Sequence, residues 1–161
     1  MFKHNNSIYE IVTVVSYDDL EIHFSKVLPL IHGTDEEWYK TRMRLGIDQG
    51  LAFEVLKDGI YVGHVYTRIE DDKFYGTSVL LGTDITTTVI AFLEIAKQTD
   101  RRVIRFMPHS VEQLKQFMSM LYKPSIRNFH SFGSTVSILR KDIVPRLERI
   151  YKYLRIEECQ Q

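Results

Sequence analysis

Asp58-Gly59 separates two strand-like runs, Leu51 to Lys57 and Ile60 to Ile69. Both residues tolerate the positive φ that a two-residue turn demands, so the pair signals a tight antiparallel hairpin. A third run, Phe74 to Leu81, follows the polar turn Glu70-Asp71-Asp72-Lys73 and extends the hairpin into a meander. The period then changes, with Ile85, Val89, Phe92, Leu93 and Ala96 recurring at helical spacing over Ile85 to Gln98. Val103 to Met107 is a short apolar run stopped by Pro108, the pattern of an inner strand parallel to the one before the helix. Together these segments predict an α/β (α+β) fold with a mixed, mainly antiparallel central sheet flanked by helices.

The flanking segments read in the same way. Ile8 to Val15 is a first strand, and Ser16-Tyr17-Asp18-Asp19 offers side-chain oxygens to cap a helix over Leu20 to Leu28, with Leu20, Phe24, Val27 and Leu28 on its apolar face. Pro29 to Thr34 interrupts it, and Thr34 with Glu37 has capping-box spacing for a second helix from Asp35 through Trp38, Met43 and Leu45. Ser110 and Gln113 make another such box, opening a helix through Val111, Leu114, Phe117, Met118 and Leu121. Ile126 to Phe132 and Thr135 to Arg140 flank Gly133-Ser134 as a closing hairpin, and Asp142 is placed to cap a last helix with Pro145 in its first turn. The expected organisation is a single domain over residues 1–141, with a C-terminal helix and polar tail over 142–161 packed on it or extending from it.

Composition excludes several classes. At 161 residues and 44% hydrophobic the chain has the size of one domain, and 21 basic residues balance 21 acidic ones, so no global field draws it to nucleic acid or anionic lipid. The single Cys159 cannot form an intrachain disulfide, no stretch approaches the roughly 18 apolar residues of a spanning helix, and no secretory pattern opens the chain. A soluble, cytoplasmic protein without a membrane partner is the expectation. His4, His23, His32, His64, His109 and His130 lack metal-ligand spacing, so no metal is expected. Walker, nucleophile-elbow and dinucleotide motifs do not occur in the sequence.

In order and spacing, Ile8 to Arg140 resembles the GNAT acyltransferases. In that family the sheet splays between its fourth and fifth strands, and acyl-CoA lies in the cleft. The resemblance therefore implies acetyl-CoA as cofactor, set against Val79, Leu80 and Leu81, the turn with Gly82, Thr83, Thr86, Thr87 and Thr88, and the helix opening at His109 and Ser110. Tyr122, ending Phe117-Met118-Ser119-Met120-Leu121-Tyr122, matches the family tyrosine that protonates the departing thiolate. A phenol with pKa of about 10 holds its proton at neutral pH and can donate it. The usual Gly-Phe that follows is replaced by Lys123-Pro124-Ser125-Ile126.

The phosphate-binding turn is degenerate relative to the family pattern. Gly82-Thr83-Asp84-Ile85-Thr86-Thr87-Thr88 holds one glycine, no basic side chain and a carboxylate, where the family presents bare backbone N–H groups. An ionised Asp84 would repel a pyrophosphate, although threonine hydroxyls can donate to one; alternatively Thr83 or Asp84 simply caps the helix. The base that neutralises the acceptor amine is sought among His64, Glu54 and His109. His64 follows Gly63, where a close backbone approach or a ligand is expected, and its other reading is a satisfied sheet residue.

Two functions follow. One is transfer of an acetyl group from acetyl-CoA to an amine acceptor. The other is a catalytically inactive interaction or structural module that does not bind CoA, such as a phage virion or host-interaction protein, with the virion as its location. The C-terminal helix bears on the second, since Arg140, Lys141, Arg146, Arg149, Lys152 and Arg155 face only Asp142 and Glu148 across a stripe of Ile143, Leu147, Ile150 and Leu154. It is either an ordinary packed amphipathic helix or a dock for an acidic protein, a neighbouring subunit in a homo-oligomer or phosphates. Without a second recognition element, nucleic acid is not the expected partner.

Overall fold

The computed structural model describes residues 1–30, 35–121, 129–132 and 135–159. In chain order the elements are β1 (Phe2–His4), β2 (Ser7–Thr13), α1 (Leu20–Val27), a short 3-10 turn (Leu28–Leu30), α2 (Glu36–Asp48), β3 (Ala52–Lys57), β4 (Ile60–Glu70) and β5 (Lys73–Leu80). They continue with α3 (Ile85–Ala96), β6 (Val103–Phe106), α4 (Val111–Leu121), β7 (Phe129–Phe132), β8 (Thr135–Leu139), α5 (Arg140–Leu154) and β9 (Glu157–Glu158). The described strands form one sheet in the order β7-β8-β6-β5-β4-β3-β2-β1-β9. Every pairing is antiparallel except β5 with β6, as the helical crossover through α3 requires. The mixed, mainly antiparallel sheet read from the sequence is the sheet observed.

Turn chemistry sets the register. Asp58 and Gly59 have φ of 50° and 85°, and Asp71 and Asp72 have 51° and 63°, so both meander turns are of the positive-φ kind. Asn5 and Asn6, at 51° and 65°, make a third such turn and join β1 to β2, a hairpin the sequence reading passed over. Three of the helix starts also differ from expectation. Asp35, not Thr34, caps α2, its carboxylate accepting from Trp38 N at 2.9 Å; Thr34 itself lies outside the described residues. Asp19 stands at the start of α1 without a side-chain cap bond. Helix α5 begins at Arg140 and places Asp142 inside its first turn, because Arg140 N still bonds to Arg102 O at 2.8 Å and the strand ladder runs directly into the helix. Gly133-Ser134 and Ile126 lie outside the described residues.

Two cores sandwich the sheet. On one face α3, α4 and α5 cover Phe74, Phe106, Ile104 and Ile138, with Phe92 and Phe117 completing an aromatic chain whose successive ring centroids are 6.3 Å (Phe74 to Phe92), 4.9 Å (Phe92 to Phe106) and 4.7 Å (Phe106 to Phe117) apart. Helix α5 contributes Ile143, Leu147, Ile150 and Tyr151 to this core. On the other face α1 and α2 bring Leu20, Phe24, Val27, Tyr39, Met43 and Ile47 against Ala52, Tyr66 and Val79. No helix among the described residues is long and apolar enough to cross a membrane.

Gly46 sets how closely α2 approaches β4, since a Cβ there would lie 2.4 Å from the backbone oxygen of Thr67. Helix propensity alone predicts that Gly46→Ala stabilises by about 1 kcal/mol. The contact predicts the opposite sign, a loss of roughly 1–3 kcal/mol, because a backbone carbonyl cannot rotate away. Urea unfolding of the variant decides between them, and a midpoint at or above that of the parent would remove the close-approach account.

Candidate active site

Parallel pairing between β5 and β6 runs through Phe74 with Ile104, Tyr75 with Arg105 and Gly76 with Phe106, and Met107 N adds a bond to Gly76 O at 2.9 Å. The next rung of a parallel ladder would join His109 N to Ser78 O. Gln113 stands in its place. Its Oε1 accepts from His109 N and its Nε2 donates to Ser78 O, both at 2.9 Å, so the carboxamide bridges the two strands as a wedge. The partners fix which end is which, since one is a donor and the other an acceptor. Gln113 is anchored by the start of α4, where its own N–H donates to Ser110 Oγ at 3.0 Å. This is the anticipated capping box, with the glutamine reaching one residue further back than the usual pattern. Past Gly76, Thr77 to Leu80 of β5 continue without a ladder partner in β6.

The α1–α2 face of these strands carries a second polar group. Register places Glu54 opposite His64 and His64 opposite Val79, one row across β3, β4 and β5. Helix α1 lowers His23 onto this row. Its Nε2 lies 2.9 Å from Glu54 Oε1 and its Nδ1 lies 2.6 Å from the Tyr66 hydroxyl, so both imidazole nitrogens are engaged. The rings of His64 and His23 are 5.0 Å apart, and those of His64 and Tyr66 are 5.1 Å apart. Glu54, with 28% of its side chain exposed against 2% for His23, is the member of that pair in contact with solvent. His64 is wholly buried, and neither ring nitrogen has a hydrogen-bond partner among the described residues. Burial, with His23 nearby, pushes its pKa down to about 3, so it is neutral at physiological pH. Burial also raises the Tyr66 phenol and moves Tyr61 up to about 12.

His64 and Glu54 were named from the sequence; His23 and Tyr66 were not. The signal for His23 was available, since it sits among Leu20, Phe24 and Val27 on the buried stripe of α1, where a polar residue needs a partner. The close backbone approach expected beside His64 is present, because a Cβ on Gly63 would lie 1.9 Å from Val79 O. His109 is apart from the His23–Glu54 pair. Its Nε2 meets Thr77 Oγ1, which also donates to Met107 O at 3.0 Å, and burial pushes its pKa down to about 4. Among the described residues, no three histidine, cysteine or acidic side chains are arranged to hold a metal.

After β5 the chain turns at Leu81 and Gly82, the glycine having φ of 66°. Asp84 then caps α3, accepting from Thr87 N at 2.7 Å and from Thr87 Oγ1 at 2.6 Å, while Asn5 Nδ2 donates to its other oxygen at 3.2 Å. Burial works to raise the pKa of Asp84, but the Thr87 bonds outweigh it and hold the carboxyl below its ordinary value. Thr87 and Thr88 are buried, and the Thr88 hydroxyl donates to Asp84 O at 3.2 Å. Val79 and Leu80 are also buried, whereas Leu81 and Ser110 are exposed. Tyr122 lies outside the described residues.

No family model and no curated protein matches the sequence. Solved structures do. A GNAT-family acetyltransferase of Bacillus cereus shares 14% identity over 82% of this chain and 94% of its own, with a TM-score of 0.52. An uncharacterised protein of Bacillus halodurans gives 0.56 at 11% identity, over 93% of this chain and 91% of that one. An aminoglycoside N-acetyltransferase gives 0.50 at 11% identity, over 84% and 98%. At these identities the likeness is one of fold: the chain has the GNAT fold, and the parting of β5 from β6 is the splay expected of it.

Two outcomes follow for the site. Gln113→Leu leaves the His109 amide and the Ser78 carbonyl without the carboxamide between them and should cost roughly 2–3 kcal/mol in urea unfolding; an unchanged midpoint would show that the wedge contributes nothing to stability. His64 and His109 have folded pKa values of about 3 and about 4, below the 6.5 of an unperturbed imidazole. The folded state therefore binds fewer protons than the unfolded one. Stability is complete above about pH 6.5 and is lost as the pH falls toward those values, each group contributing about 1.4 kcal/mol per pH unit inside its window. His64→Leu should make the fall in unfolding free energy between about pH 6.5 and pH 5 shallower by about that slope. An identical pH dependence would mean that His64 titrates normally.

Proposed function

We propose that the protein is an N-acyltransferase that moves an acetyl group from acetyl-CoA to an amine. The observation that carries the proposal is the wedge-opened β5–β6 pair, with the Glu54–His23 pair on the α1–α2 face of the same sheet. Acetyl-CoA, when bound, supplies an acyl group on a thiolate leaving group. The residues that would hold it are Val79, Leu80 and Leu81 along β5, the turn of Gly82, Thr83 and Thr86, and His109 with Ser110 at the opening of α4. They fit in one part and resist in another. The strand edge and the first-turn amides of α3 suit a pantetheine and its phosphates, whereas the Asp84 carboxylate opposes the negative charge. Thr87 and Thr88 act by shaping the turn, their hydroxyls being bonded to Asp84.

An amine attacks a thioester only when neutral. Glu54, partly open to solvent, accepts the ammonium proton directly or through water, and His23 orients the carboxylate through its 2.9 Å contact. His64 is unsuited to that step, since a group with a pKa of about 3 does not hold an extra proton at neutral pH. Tyr122 is assigned the donation of a proton to the leaving sulfur by its sequence match. A second reading, the CoA-free interaction module, is favoured by one observation: the Asp84 side chain already serves the α3 N-terminus that a pyrophosphate would use.

Thermal unfolding with acetyl-CoA separates the two. Ligand at about 100 times its dissociation constant should stabilise the native state by roughly 2.7 kcal/mol. Asp84→Asn should bind at least as tightly, and Glu54→Gln and Tyr122→Phe should bind normally while lowering turnover on a responsive amine by about 10²–10⁴-fold. No shift at millimolar acetyl-CoA, in the parent or in Asp84→Asn, would refute the acyltransferase and leave the module.

A further inference from the structure

Beside the point where β5 and β6 part, the α1–α2 face carries three arginines. Register places Arg68 opposite Tyr75 and Tyr75 beside Arg105, a row across β4, β5 and β6. Both guanidinium groups lie near the Tyr75 ring, at 4.5 Å for Arg68 and 5.4 Å for Arg105, and Arg105 Nη1 donates to the Tyr75 hydroxyl at 2.7 Å. Helix α2 supplies the lid, with Arg42 stacked 4.0 Å from the Trp38 ring and Arg68 5.9 Å from the same ring. One carboxylate serves two of these cations, since Glu70 lies 3.2 Å from Arg68 Nε and 3.5 Å from Arg42 Nη2. Among the described residues Arg105 forms no salt bridge, and the Nε atoms of Arg42 and Arg105 are buried without a hydrogen-bond partner.

Arg68 is the deepest of the three, with 6% of its side chain exposed. Burying cationic groups in excess of their counter-charge is costly, and unpaired donors add to the cost. Stacking on Tyr75 and Trp38 fixes the guanidinium planes, so their donors are already oriented for a planar or tetrahedral oxyanion. A cleft beside Arg42 and Arg68 is lined by Trp38, Arg42, Tyr66, Arg68, Thr77 and Met107, among others; Arg105 stands outside that lining and meets Arg68 only through the Tyr75 ring. The free volume of the cleft is about 10 Å³, the room of a single water molecule, so a ligand group enters only as Trp38 and Arg42, at the rim, give way. Thr77 and Met107 stand where the strands separate, and Tyr66 bonds to His23, which bonds to Glu54. The cleft therefore borders the parted strands and is linked to the Glu54–His23 pair through the Tyr66 hydroxyl.

We propose that this arginine cradle binds an oxyanion, a carboxylate or phosphate carried on the same small molecule as the acceptor amine, and so selects acidic amines. The amine's part in this rests on the acyltransferase reading; the oxyanion site does not, and can be tested without acetyl-CoA. The full chain is titrated with inorganic phosphate and, separately, with malonate at constant ionic strength set by potassium chloride, following thermal unfolding. Saturable stabilisation by either anion is expected, and the better of the two identifies the acid. Arg42→Gln with Arg68→Gln should weaken binding at least tenfold, while Arg149→Gln with Lys152→Gln on α5 should leave it unchanged. If the first pair does not fold, Arg42→Gln alone, at the rim, serves the same purpose and should still weaken binding severalfold. No stabilisation beyond potassium chloride, or an equal response in the Arg42 and Arg68 variants, overturns the cradle. A chain that binds acetyl-CoA but neither anion loses this proposal and keeps the acyltransferase, whereas one that binds an anion but no acetyl-CoA keeps the cradle and loses the transferase.

Discussion

Where β6 leaves β5, the carboxamide of Gln113 takes over the bond that the ladder would otherwise make, satisfying His109 N and Ser78 O at once. Buried backbone groups cannot be left unpaired at a strand separation, so a cleft inside a sheet needs some such substitute. Pro108 helps from the other side, because it has no N–H to offer and bends the chain toward α4. The tie between α4 and β5, at the point where the β5–β6 ladder ends, rests on this one side chain.

The two faces of the sheet divide the labour. The α3–α4–α5 face is closed by packed aromatic and aliphatic groups and gives rigidity. The α1–α2 face holds a cluster of buried polar side chains, including His23, His64, Tyr66, Arg68 and Thr77. Close approach is what crowds them together. Gly46 lets α2 sit on Thr67, and Gly63 lets β4 pass tightly against Val79, so the polar rows are enclosed by backbone as well as by side chains.

Much of this was legible in the sequence. Asp58-Gly59 fixed the meander, the helical period over Ile85 to Ala96 with the apolar run after it fixed the parallel pair, and Ser110 with Gln113 marked the start of α4. What was not legible depends on contacts distant in sequence. Gln113 reads as a cap residue and gives no hint that its far end reaches Ser78, 35 positions away. His23 and Glu54, 31 positions apart, meet only because α1 folds back on β3. The arginines come from three separate elements, and nothing local in the sequence marks them as a group. Asp142 has the local spacing of a cap, but the bond from Arg140 to Arg102, which starts the helix two residues earlier, is distant in sequence. β1 and β9 are too short for a periodic signal, and their pairing is a product of the finished sheet.

The three tight positive-φ turns have a consequence for how the chain reaches this shape. β1 with β2, and β3 with β4 and β5, are joined by two-residue reversals, so each can zip from its turn with little loop entropy to overcome. β6 must find β5 across 30 residues of chain, and with it comes the splay. Assembly that proceeds from local to distant pairings leaves this junction until late, and the same order in reverse makes it an early place to open. Amide hydrogen exchange in β6 would then be faster than in the meander, and the segment that shapes the cleft would also be among the most readily breathing parts of the sheet.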